Sequence, residues 1–282
     1  MRFHMDTADF FVPDGLPDEE ALKRTTHLAI SAHQDDIEIM AAGPIIECFQ
    51  QPDKWFTGVV VTDGRGSVRD GMYKDFDDEE MRRLRFKEQR KAAYVGDYAA
   101  QVILDYPSRV VKDAASRQPV EDLGMLLRLT RPQFVYTHNL ADKHDTHVGA
   151  ALKAIAAIRS LPAELRPQNL YGCEVWRDLD WMVDDDKMAF DLTAHEALQA
   201  ALLGVFDSQI AGGKRYDLAS MGRRRANATY FAPLGVDSTT GLSYAMDLTP
   251  LILDPTRDIL GYVQEHIRRF AEDVTARFKR VG

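Results

Sequence analysis

Short β-rich runs alternate with longer helical patterns through the first two thirds of this 282-residue chain. That alternation constrains the fold more than any other feature, because strand, helix and strand in succession pack as βαβ units around a parallel sheet. The runs are Thr26 to Ala32 (THLAISA), Phe56 to Thr62 (FTGVVVT), Gln101 to Leu104 (QVIL), Phe134 to Thr137 (FVYT) and Leu170 to Trp176. Helical spacing predicts helices near Ile37 to Phe49, from about Asp77 to Val95, over Val120 to Thr130 and over Ala150 to Ser160. A glycine-bearing polar loop, Asp63 to Asp78, follows the second run. Beyond the fifth run come a WRDLDWMVDDD loop, an Ala/Leu helix near Ala194 to Ile210, a Gly- and Arg-rich segment to Arg225, and an amphipathic helix from Ile259 to Lys279. There is no internal repeat and no low-complexity linker. The chain reads as one domain over residues 1–282: a three-layer α/β/α fold with a mostly parallel sheet and a C-terminal elaboration over about 177–282.

Composition removes several function classes. Hydrophobic residues are 45% and charged residues 28%, so a chain of this length builds a real core. The net charge of −9 repels phosphate backbones and anionic membrane surfaces, which argues against a nucleic-acid binder. The two cysteines, Cys48 and Cys173, lie far apart among apolar residues and form neither a disulfide framework nor a thiolate zinc pattern. The amino terminus is acidic and proline-bearing where a signal peptide is basic and apolar, and no run approaches membrane-spanning length. A cytoplasmic protein with no membrane span is the expectation.

Two clusters follow predicted strands at their carboxyl ends, where open α/β sheets place their ligands. One is His33-Gln34-Asp35-Asp36, directly after LAISA; the other runs from His138 through Asp142, His144 and Asp145 to His147, directly after FVYT. Half of the 8 histidines converge on one sheet edge. A catalytic zinc takes three imidazole or carboxylate ligands and leaves a position for water, and the same donors suit iron or manganese. His33 with Asp36, and His144 with His147, are spaced so that either pair faces one way in a helical turn. Adjacent acids also serve as helix caps, and a lone strand-end histidine is more often packing. Two strand ends that both carry His and Asp sets outweigh that reading.

The run A-H-Q-D-D, from Ala32 to Asp36, resembles the A-H-P-D-D signature of the PIG-L/LmbE family of zinc-dependent N-deacetylases, and H-D-T-H, from His144 to His147, resembles its H-x-x-H element. T-D-G at Thr62 to Gly64, and the pattern from Arg85 and Glu88 to Ala92 and Ala93, resemble further landmarks in the right order. The resemblance spans about Thr26 to Leu152 and implies a Rossmann-like domain. It implies that His33, Asp36 and His147 bind Zn2+ (or Fe2+ or Mn2+), that Asp35 is the general base, and that His144 assists at the oxyanion and the leaving amine. Arg85 is implied to bind substrate hydroxyls or phosphate, against an ordinary ion pair as the plain alternative. The implied reaction removes acetyl from a small N-acetylated amino sugar of the N-acetylglucosamine type or its conjugate. Two alternatives remain: an amidase of larger N-acyl or thiol conjugates, and a non-catalytic pocket holding magnesium and a phosphorylated ligand.

The sequence departs from the signature twice. Gln34 stands where proline is usual, so something else must stiffen the loop holding Asp35 and Asp36. Thr146 stands where an aspartate is common, which leaves Asp142 or Asp145 to orient a histidine. Outside these motifs, the loop D-G-R-G-S-V-R-D-G is expected as a rim over the site, and Trp176 and Trp181 as candidate sugar-stacking faces or as packing. His138 is expected to be structural, and Glu38 to back up His33 or cap a helix. Gly222 to Arg225 is expected as a solvated basic face, an anion contact or a contact in a homo-oligomer.

Overall fold

The computed structural model describes residues 1–282. One sheet of eight strands runs through the molecule: β1 (Asp9–Phe11), β2 (His27–Ser31), β3 (Phe56–Thr62), β4 (Ala100–Tyr106), β5 (Phe134–His138), β6 (Asn169–Cys173), β7 (Lys187–Asp191) and β8 (Leu242–Asp247). Their spatial order is β1-β4-β3-β2-β5-β6-β8-β7. Strands β2 to β6 are mutually parallel, while β1, β8 and β7 join antiparallel at the two flanks. The chain winds outward from β2 to β3 and β4, then returns to place β5 on the other side of β2. The resulting crevice between the carboxyl ends of β2 and β5 is where such sheets bind ligands.

The near-continuous apolar strands are explained by cover on both faces. All seven residues of β3 are buried. Successive side chains alternate: Leu28, Ile30, Val59, Val61 and Val102 join one core cluster, and Ala29, Val60 and Ile103 join the other. Helices Gln118–Thr130 and Asp145–Arg159 pack in the first layer, and helices near Ile37–Cys48 and Asp78–Val95 in the second. The fold is therefore a three-layer α/β/α sandwich with a mostly parallel sheet, as the strand pattern predicts.

Several boundaries differ for identifiable reasons. The expected helix Ile37–Phe49 is two short helices, Asp36–Met40 and Ala42–Cys48, which restart at Ala41 so that Pro44, lacking an N–H, falls in a first turn. The helix read as starting at Ala150 begins at Asp145, because the polar H-D-T-H stretch is itself helical. The helix near Ala194–Ile210 is divided into Glu196–Gly204 and Asp207–Ile210. The fifth run ends at Cys173 instead of Trp176. Sequence reading missed β8, which enters the sheet between β6 and β7, so the C-terminal part extends the same sheet.

The Gly- and Arg-rich segment corrects the expectation of a solvated basic face. It belongs to the helix Tyr216–Tyr230, and Arg224 is only 4% exposed. Burial pushes its guanidinium down to about 10, with Glu174 opposing the shift, so it stays charged at neutral pH. It donates to the carbonyls of Glu38 at 2.8 Å and Ile39 at 3.3 Å, capping the end of the helix Asp36–Met40, and to Gln199 at 3.1 Å. Arg223 bonds the carbonyl of Val175, and Arg225 pairs with Glu196 at the surface. Arg224→Met is expected to cost about 3 kcal/mol by orphaning buried acceptors. Urea unfolding of the two proteins measures this, and a change below about 0.5 kcal/mol would refute the tethering role.

Candidate active site

His33 leaves the end of β2, and Asp35, which precedes the helix Asp36–Met40, has φ of 82°. A non-glycine residue in this left-handed region costs roughly 1–3 kcal/mol and needs surrounding structure to hold it. Three contacts do so. The Asp35 N–H donates to Gln89 Oε1 at 3.2 Å, Arg85 bonds the Gln34 carbonyl, and Arg85 pairs with Asp35 Oδ2 at 3.0 Å. The Gln34 amide donates to the Thr62 carbonyl at 3.1 Å. These bonds supply the stiffening that a proline at position 34 would otherwise give.

Helical winding from Asp36 brings its carboxylate back to His33. Asp36 Oδ2 accepts the His33 backbone N–H at 2.7 Å and lies 3.2 Å from His33 Nδ1. Across the crevice, the helix Asp145–Arg159 delivers His147, whose Nε2 is 3.4 Å from Asp36 Oδ2 and 3.2 Å from His33 Nδ1. These three atoms form a triangle with edges of 3.2, 3.4 and 3.2 Å. Ligands on a tetrahedral ion with bonds of about 2.0–2.1 Å lie about 3.3 Å apart. The donor spacing and donor chemistry therefore fit a divalent metal such as zinc.

Asp142 organises the opposite wall. Its carboxylate lies 3.4 Å from His147 Nδ1 and accepts the backbone N–H groups of His144 at 3.0 Å and Trp176 at 3.1 Å. With Nδ1 on Asp142, His147 presents Nε2 to Asp36 and His33, the arrangement by which a carboxylate orients a metal-binding imidazole. Of the two acids that sequence reading offered for this duty, Asp142 is in place, and Asp145 is exposed at the helix start. His138 is buried and accepts the Ala32 N–H at Nε2, 2.8 Å away, tying the ends of β2 and β5 together. Glu38 neither backs up His33 nor caps a helix; it is buried against Tyr98 and Gln89, which donate to it at 2.9 Å.

The electrostatics follow from this packing. Burial pushes the Asp35 carboxyl up to about 6 against the opposing pull of Arg85, with the Asp36 charge adding to the rise. Burial acts in the same sense on Asp36, but His147, His138 and His33 hold its carboxyl well below the usual range. Burial alone would lower His147, yet Asp36 and Asp142 raise it. Burial, then His147 and His33, hold His144 below the ordinary imidazole value. The site thus holds an ionised Asp36 facing His147, the imidazole that the two acids favour in its charged form.

These groups open on a cleft of about 440 Å³, within the range of roughly 300–1,000 Å³ usual for small-molecule sites. His33, Asp35, Asp36, His144 and Arg85 line it, and Gly64, Gly66, Ser67 and Val68 form the rim expected of the glycine-bearing loop. Trp176 closes one side, with Tyr216 at 6.2 Å edge-on and the Lys214 ammonium 5.1 Å over its ring. Trp181 points elsewhere, packing against Phe270. Arg85 is buried, with its charge matched by Asp35 and by Glu88 at 3.4 Å. Lys112, Gln209, Lys214 and Tyr216 also reach the cleft, and no motif marks them in the sequence. A larger groove of about 600 Å³ lies on the outer face of the helix Asp78–Val95, but it holds no imidazole or carboxylate.

Fold and site together define a three-layer α/β protein carrying a His-Asp-His donor triad at the crossover of its sheet. The family model for PIG-L, described as GlcNAc-PI de-N-acetylase, matches residues 28–158 of this chain. Among solved structures, N,N'-diacetylchitobiose deacetylase from Pyrococcus horikoshii aligns with TM-score 0.60 and 18% identity, covering 78% of this chain and 83% of that one. The conserved protein TT1542 from Thermus thermophilus aligns with TM-score 0.60 and 18% identity over 82% of this chain and 98% of that chain. GalB, the 4-carboxy-2-hydroxymuconate hydratase from Pseudomonas putida, aligns with TM-score 0.60 and 16% identity over 79% and 95%. No curated protein matches the sequence. At these identities the likeness is one of fold, so the argument for activity rests on the match to the family model and on the site.

Proposed function

We propose that this protein is a metal-dependent hydrolase that removes acetyl from an N-acetylated amino sugar of the N-acetylglucosamine type or from its conjugate. The observation that carries the proposal is the triangle of His33, Asp36 and His147 donors with Asp35 beside it at the floor of the cleft. His33, Asp36 and His147 would hold the ion, and zinc fits the donor set best, with iron or manganese as alternatives. When bound, such an ion polarises an amide carbonyl and makes a water a strong nucleophile at neutral pH.

The chain's own residues do the rest. Asp35, fixed by Arg85 and Gln89, takes the proton of the attacking water, as a general base within hydrogen-bond reach would. His144 sits over the triad, its ring 4.5 Å from that of His147 and 5.0 Å from that of His33, and its N–H stabilises the carbonyl oxygen as that atom gains charge. The leaving nitrogen receives the proton that Asp35 took from the water. Acetate and a free amine are the products. Trp176 offers an aromatic face at the cleft wall for a sugar ring.

Asp142 orients His147 and anchors His144 and Trp176. Asp142→Asn is expected to weaken metal affinity by roughly 10–100-fold while the fold is kept, which a chelator-competition titration checks; unchanged affinity would remove Asp142 from the account. The proposal itself is tested by product analysis on N-acetylglucosamine derivatives, where acetate release is expected. Cleavage of bulkier amides without any acetate release would replace it with an amidase of larger acyl groups.

A further inference from the structure

The helix Ile259–Val281 has its last buried residue at His266, and beyond it Arg269 pairs with Asp186 at 2.6 Å and Phe270 lies edge-on to Trp181, after which the helix leaves the body of the protein. From Phe270 onward all of its residues except Asp273 are exposed. Three turns of helix standing free in water are marginal by themselves, and helices of this kind are normally held by packing along an apolar face. That face exists. Ile267, Phe270, Val274, Phe278 and Val281 fall within one narrow stripe and are 49%, 40%, 37%, 74% and 88% exposed.

The stripe is symmetric about Val274. Its spacings run three, four, four, three, and its chemistry reads β-branched, Phe, β-branched, Phe, β-branched in either direction. A self-complementary surface of this kind is what a two-fold interface between identical subunits requires, because each residue must meet its mirror position on the partner. We propose that a second copy of this chain docks here, the two C-terminal helices packing antiparallel about a two-fold axis at Val274. In that register Val274 meets its own copy, Phe270 meets the second copy's Phe278, and Ile267 meets its Val281. The overlap ends beside His266, where the helix enters the body.

Charge selects the antiparallel sense. Asp273 and Arg277 flank the stripe on one side, and each helix pairs them internally at 2.8 Å. Antiparallel packing brings Asp273 of one copy within about one turn of Arg277 of the other, on the same side of the seam. Parallel packing sets that flank against Ala271 and Thr275, which carry no charge. Two such stripes bury about 1,000 Å² in total, near the lower bound for a specific interface, so the dimer weakens on dilution.

The test uses the full chain. Light scattering after gel filtration should give twice the chain mass at 100 μM and a fall toward the monomer near 1 μM, whereas Val274→Glu should be monomeric throughout with unchanged circular dichroism. Under mild oxidation Val274→Cys should form a covalent dimer and Ile267→Cys should not, while the double variant Ile267→Cys with Val281→Cys should. The native Cys48 and Cys173 are both buried and do not interfere. A monomer at 100 μM, a dimer that survives Val274→Glu, or efficient crosslinking of Ile267→Cys to itself would each overturn the proposal.

Discussion

Asp36→Ala is expected to lower metal affinity by well over a hundredfold and to reduce acetate release to near the uncatalysed level. The size of the effect follows from position. Asp36 Oδ2 lies 3.2 Å from His33, 3.4 Å from His147 and 3.5 Å from His138, so a single carboxylate faces three imidazoles. Its removal deletes a donor and leaves the remaining nitrogens facing one another with no anion between them. Loss of an outer-shell partner of a metal typically costs 10–100-fold, and loss of a charged donor exceeds that. Metal analysis of the purified variant, with circular dichroism to show that the fold is kept, is the measurement. Full metal occupancy in a folded Asp36→Ala protein would remove this residue from the ligand set.

Asp35→Asn separates base from ligand. It keeps the size of the side chain and deletes the charge that accepts a proton, so turnover is expected to fall about 10²–10⁴-fold with metal content unchanged. The neighbouring aspartates are distinguished by what holds them: Asp35 Oδ2 is bonded to Arg85 at 3.0 Å, whereas Asp36 Oδ2 lies 3.2 Å from His33 Nδ1 as a corner of the triangle. Steady-state rates with metal analysis on the same samples decide the matter. Loss of metal in Asp35→Asn together with its retention in Asp36→Asn would reverse the two assignments.

The parallel core of the fold was legible because its strands are short apolar runs with helical spacing between them, and period-two alternation in β2 and β3 places their side chains on two faces. The antiparallel flank was not. The β7 segment is half-exposed and β8 follows a long polar stretch, so neither carries the buried-run signal that marks β3. At the site, the strand-end histidines and acids announce themselves, and the structure brings His33, Asp35, Asp36, His144 and Arg85 to one cleft, with His147 buried against His33 and Asp36. Gln89 is an unspecified position within the Arg85 to Ala93 pattern, and Lys214 and Tyr216 carry no motif, so none of them could be read from sequence; their place depends on tertiary packing. Arg224 was misread for the same reason: a basic run looks solvated until the carbonyls that one of its arginines caps are known.

Hydrolysis of an acetamide through a metal held by His33, Asp36 and His147 is the central claim. The most direct test strips the purified protein with a chelator, restores one divalent ion per chain, and follows acetate and free amine from an N-acetylglucosamine derivative in parallel. Equal amounts of both products are expected from the restored protein and neither from the stripped one. Equal turnover by stripped and restored protein, or product formation undiminished in His147→Ala, would contradict it.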